Sequence, residues 1–249
     1  MKEIIKSNLK YVIFLFLCGL VGGYFVGVYL VQMLPADYFQ EGLNQVSSLE
    51  MIYLISGIQY AIYSVVFGLI GKYYSKKIGI WRKIEFSSEL IIKLIIASVV
   101  AGVLLLCVDV FVFANYSESI KASYYIKPTI ENFLASIIGG GGVEEIMLRL
   151  FWMTLVAVLL QKILKIEVMC DKILILANIV SALMFALGHL PATELMLELT
   201  PVTLVRGFLL NGLLGLLFGR FYRKYGIHSA MVVHAGTHIV CKLVWLFFI

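Results

Sequence analysis

Residues 11–34 read YVIFLFLCGLVGGYFVGVYLVQML, 24 residues without a charge. About 20 apolar residues in a helix cross the hydrocarbon core of a bilayer, so this stretch predicts a membrane span. It follows Lys2, Lys6 and Lys10, which a secretory signal peptide would also carry. The apolar core is too long for a signal peptide, however, and no small-x-small cleavage site closes it. The segment reads as a retained helix.

The rest of the chain repeats the pattern. Met51–Gly71 is free of charge, and Leu94–Ala114 is broken only by Asp109. Thr129–Leu160 is long and carries Glu131, Glu144, Glu145 and Arg149. Ile173–Thr193 has no acid, Lys or Arg, Pro201–Gly219 contains Arg206, and Ile227–Ile249 contains Lys242. The expected fold is therefore an all-α polytopic transmembrane helix bundle of seven spans, or eight if the fourth breaks at Gly139–Gly142. Composition agrees. The 249 residues are 61% hydrophobic and 14% charged, with mean hydropathy +0.98. A soluble domain is nearer half apolar and a quarter charged. A soluble enzyme, a disordered chain and a disulfide-stapled module are excluded. Cys18, Cys107, Cys170 and Cys241 show no paired spacing and read as small core residues.

The loops set the expected orientation. Fifteen of the 20 Lys and Arg residues fall in the segments 1–10, 72–93, 161–172 and 220–228, and only two fall in the alternate segments 35–50, 115–131 and 194–200. Basic loops stay cytoplasmic, which puts the N-terminus in the cytoplasm and accounts for the net charge of +5 without nucleic acid. Residues 1–128 form three N-terminal spans and 129–249 the remaining helices of one integrated domain. Tyr116–Lys127 has a weak amphipathic pattern.

Ionisable residues inside membrane helices are costly and tend to be functional. Here they gather in the C-terminal half. Glu145 and Arg149, four apart, share a helix face and can form an ion pair. Glu144 points about 100° away, so it is less neutralised and freer to act as a general base or acid. His234 and His238 share a face, and Phe185 and His189 do the same one helix earlier. The four glycines at 139–142 suggest a loosened turn or a close backbone approach, and tight helix packing would use them equally well. Asp109, Arg206 and Lys242 read as snorkelling or interhelical pairs. Pro191, just after His189, ends or bends the fifth helix so that His189 can meet the others.

In order, the motifs are Glu144-Glu145-x-x-x-Arg149, Phe185-x-x-x-His189 and His234-x-x-x-His238. In this order, on three hydrophobic spans, they resemble the CPBP family of intramembrane proteases, that is, the type II CAAX prenyl endopeptidases and their bacteriocin-processing relatives, also called the Abi family. The stretch Phe208–Arg220 and Tyr225-Gly226 look like the family too, and the likeness covers residues 129–249. It implies that these are the catalytic helices of a membrane endopeptidase. Glu144 would activate water with His189, and His234 and residue 238 would stabilise the oxyanion. Glu145 would complete the site, with Arg149 and Phe185 behind it. The family usually has Asn or Asp where this chain has His238. A neutral imidazole can still donate there. His189, His234, His238 and Glu144 would equally suit zinc, and the sequence leaves that alternative open. Ala235 stands where zincins carry their Glu. The implied partners are the lipid bilayer and a membrane-associated peptide or protein. Lys outnumbers Arg 15 to 5, which points to a bacterial plasma membrane and to a leader, signalling or bacteriocin peptide rather than a prenylated CAAX protein. A non-catalytic immunity or scaffold protein is the main rival. A transporter is a weaker one, since the sequence shows no inverted repeat.

Overall fold

The computed structural model describes Lys2–Met33 and Ser48–Ile249. Most of the expected outer segment 35–50 lies outside the described residues. The helices are α1 (Lys2–Met33), α2 (Leu49–Lys77), α3 (Ser88–Phe111), α4 (Glu118–Ser123), α5 (Ile130–Leu134), α6 (Thr154–Ile163), α7 (Asp171–Gly188), α8 (Leu190–Leu197), α9 (Pro201–Tyr225) and α10 (Ile227–Phe248). Six helices among the described residues are long and apolar enough to cross a membrane. The chain is an all-α integral membrane protein. The expected fourth span is helical throughout, from Ile130 to Ile163, but is not α-helical throughout. Between α5 and α6 it winds as π-helix over Ala135–Glu144 and again over Ile146–Met153. The glycine run loosens this rod without breaking it.

The outer surface is turned toward lipid. Ile95 and Leu104 of α3 are each 57% exposed, and Leu213 of α9 is 58% exposed. What α2 buries is small: Gly57, Ala61, Ser64, Gly68, Gly71 and Ser75. These recur at alternating steps of four and three, the seam of a left-handed helix pair. In lipid there is no hydrophobic gain from hiding Leu against Leu, so close backbone approach and polar contacts hold helices together. A Cβ added to Gly19 would stand 2.5 Å from the Cα of Ala61, so α1 and α2 meet backbone to backbone. Polar contacts tie the C-terminal helices. Ser181 donates to the carbonyl of Leu148 at 2.8 Å, Asn178 to that of Leu216 at 2.9 Å, and the hydroxyls of Thr154 and Tyr222 lie 2.7 Å apart.

Helix ends follow their caps. Ser87, Ser117 and Thr129 accept backbone N–H groups at the starts of α3, α4 and α5. Thr200 and Thr203 cap α9 reciprocally, with Pro201 at its first position. Gly226, at φ +97°, reverses the chain directly into α10. The weak amphipathic pattern at 116–127 becomes the six-residue α4, and its next residue, Tyr124, is a strut. The Tyr124 hydroxyl donates to Asp109 Oδ2 at 2.6 Å, and Arg206 grips the same carboxylate through Nε at 2.5 Å and Nη2 at 2.6 Å. Asp109 and Arg206 are therefore partners between α3 and α9. Trp245 of α10 joins the cluster through its Nε1–H bond to the Tyr124 carbonyl, 3.2 Å.

Removing one member of a buried ion pair strands the other charge, at a cost of about 3–5 kcal/mol. Asp109→Ala should lower the melting temperature in detergent. Replacing Arg206 by Met in the same protein should return part of the loss. If the single and double variants melt together with wild type, the pair does not support the bundle.

Candidate active site

The π-helical rod and α10 run antiparallel, and their contacts form the centre of the C-terminal half. Glu145, the single α-helical residue between the two π segments, is fully buried. Its Oε1 lies 2.8 Å from His234 Nδ1 and 3.3 Å from Arg149 Nη1. The ion pair expected from the four-residue spacing is present. The contact with His234, 89 residues away, is not visible in that spacing. Arg149 is also fully buried, donates to the Gly215 carbonyl at 3.2 Å, and lies over the Phe185 ring at 4.5 Å.

A carboxylate at Glu145 faces both the Arg149 guanidinium and His234 Nδ1. An ionised carboxylate can only accept, so His234 carries its proton on Nδ1 and its Nε2 offers a lone pair. His238 Nε2 lies 3.2 Å from that atom, and with that tautomer of His234 it is the donor. His189 is fixed in the same way. Its Nδ1 stands 2.8 Å from the Phe185 carbonyl, which can only accept, so its Nε2 is left free. His189 caps the end of α7, where the chain turns into α8 with Pro191 in the first turn. The fifth span thus ends at the site, as Pro191 suggested.

Aromatic rings hold these imidazoles. Phe185 makes edge contacts with both His189, centroids 4.6 Å apart, and His234, 5.7 Å apart. Phe218 stacks on His234 at 4.3 Å and 16°. The sequence marked Phe185 but not Phe218, which lies on α9 and whose only signal was its place in the Phe208–Arg220 stretch. Glu144 is half-buried on the neighbouring face. Glu145, His189, His234 and His238 are thus joined by hydrogen bonds or shared rings, and Glu144 stands beside them as the acid not bound to Arg149.

Two glycines set the gap between rod and helix. A Cβ on Gly141 would lie 2.7 Å from Ala235 Cβ and 2.9 Å from its backbone. A Cβ on Gly140 would lie 3.5 Å from His234 Nε2 and 3.6 Å from His238 Nε2. The bare Cα of Gly140 therefore leaves a space about one methyl wide in front of both nitrogens. Those nitrogens are at the separation two ligands of one tetrahedral zinc would adopt, but a catalytic zinc takes three protein ligands. Among the described residues no group of three His, Cys, Asp or Glu side chains converges to hold a metal.

Residues 127–240 match the family described as Type II CAAX prenyl endopeptidase Rce1-like. They form an Rce1-like, CPBP-family domain. The domain holds all the residues just described. Family membership suggests a hydrolase, one of the intramembrane proteases. No curated protein and no solved structure matches the chain. The N-terminal helices pack on the Rce1-like domain at the glycine run, where a Cβ on Gly22 would stand 3.0 Å from the Gly139 nitrogen.

Gly140→Ala and Gly141→Ala should therefore separate. The first adds only ordinary contacts and keeps the fold, but fills the space before the two imidazoles. The second drives α10 from the rod. Melting curves should place Gly140→Ala near wild type and Gly141→Ala clearly below it. Cleavage should be lost in both.

Proposed function

We propose that the chain is an endopeptidase that cuts a membrane-associated peptide or protein by water attack. The observation that carries this reading is the chain of contacts Arg149–Glu145–His234–His238 facing the bare Cα of Gly140, inside an Rce1-like domain. Glu144 takes the proton of the attacking water, and the free Nε2 of His189 helps to orient that water. His238 turns its Nε2–H from His234 Nε2 to the oxyanion. As the C–N bond breaks, Glu144 passes the proton taken from water to the leaving amine, while His234, held on Glu145, keeps the His238 ring in place. Donors held in a dry site are worth far more than in water.

His238 in place of the family's Asn or Asp fits this role, because it already presents a ring nitrogen beside His234. For orientation, the basic loops support a cytoplasmic N-terminus. For substrate, a leader, signalling or bacteriocin precursor in a bacterial plasma membrane fits the Lys-rich composition better than a prenylated CAAX protein.

Removing a general base typically costs about 10²–10⁴ in rate. Glu144→Gln should abolish cleavage while the protein still folds and inserts. The check compares secreted and membrane peptides of cells carrying wild type or variant, by mass spectrometry. Peptides that accumulate uncut only with the variant support the protease. An unchanged peptide set favours a non-catalytic immunity or scaffold protein.

A further inference from the structure

The antiparallel contact of rod and α10 continues past the histidines. Glu145 meets His234, Gly140 faces His238, and further out Asn132 meets Lys242. Lys242 is four residues beyond His238, on the same face of α10, and about 6 Å further along its axis. It is only 8% exposed. Its Nζ donates to the Asn132 carbonyl at 3.0 Å, with the Tyr29 and Phe133 rings at 6.0 and 5.8 Å. That carbonyl already accepts the Ser136 hydroxyl at 3.0 Å, so it does not need an ammonium to satisfy it. Lysine has three N–H donors, and one is used here.

A charge within a membrane bundle is ordinarily paired or placed on a substrate path. Among the described residues no carboxylate comes within 4.0 Å of Lys242. Asp109, the buried acid of α3, is taken by Arg206 and Tyr124. Among the described residues the remaining donors of Lys242 therefore meet no anion, at one end of the line of groups that would handle a peptide bond.

We infer that Lys242 binds a carboxylate of the substrate a few residues from the cut, either the C-terminus of the substrate or an Asp or Glu side chain. This rests on the protease reading above. Lys242 then selects among peptides, while the histidines and Glu144 cut them.

The test uses the full-length protein in liposomes with a library of apolar peptides in three forms: free C-terminal acid, C-terminal amide, and amide with one Glu inserted near the C-terminus. Cleavage is followed by mass spectrometry. Wild type should favour one or both of the charged forms over the plain amide by about tenfold or more in kcat/KM, the size expected for a hydrogen bond to a charged group. A preference for the free acid alone identifies the C-terminus as the ligand, and preference for the Glu peptide identifies a side chain. Lys242→Met should bring the ratio toward one, chiefly through KM, and Lys242→Arg should keep most of it. Equal cleavage of all three forms by wild type overturns the inference and leaves the protease intact. So does an undiminished preference in Lys242→Met that melts like wild type. If Lys242→Met fails to fold, Lys242→Gln takes its place. If wild type cuts no peptide of the library in any form, the protease reading fails and this inference falls with it.

Discussion

A buried carboxylate between two π-helical segments organises the C-terminal half of the molecule. Glu145 holds Arg149 on its own rod and His234 on α10. In hydrocarbon an unpaired acid would be expelled or neutralised, and an unpaired guanidinium would be as costly. Together they offset one another as an ion pair at 3.3 Å, with His234 and the Gly215 carbonyl as further partners, while Glu145 Oε2 and Arg149 Nε make no hydrogen bond among the described residues. The arginine then carries the effect outward, since it covers Phe185 and bonds the Gly215 backbone of α9. Phe185 lies against His189 and His234. One ion pair thus places groups from the rod, α7, α9 and α10.

The same constraint explains where small residues are needed. The rod must approach α10 closely enough for Glu145 to reach His234 and for His238 to face the rod. Glycine at 141 permits that approach, glycine at 140 leaves the space before the imidazoles, and the π winding runs through both without breaking the helix. π-helix is uncommon and tends to occur at functional sites. Here it coincides with the residues that the proposed chemistry uses.

Much of this could be read from the sequence because it was local. The spacing of Glu145 and Arg149 set their shared face, that of Phe185 and His189 set the ring contact, and uninterrupted apolar length gave the membrane. What could not be read depended on contacts distant in the chain. Asp109 and Arg206 read as snorkelling or interhelical pairs, and that each is the other's partner could not be read because the pairing spans 97 residues. Phe218 looked like any core aromatic until its ring lay on His234. The glycine run allowed a kink, a tight contact or a loosened turn, and only the backbones of α1 and α10 on either side decide among these. The partner of His234 was hidden for a further reason. Glu145 had a sufficient explanation in Arg149, so nothing in its neighbours called for a second contact.

The central claim is that Glu145 fixes the proton of His234 on Nδ1 and leaves Nε2 facing the site. Nitrogen NMR of histidine-labelled protein in lipid bilayers reads this directly, with His234 assigned by comparison with its own substitution. The expected result is a protonated Nδ1 and an unprotonated Nε2 at His234, with that preference lost in Glu145→Gln. A protonated Nε2 with a bare Nδ1 in the resting protein would contradict it.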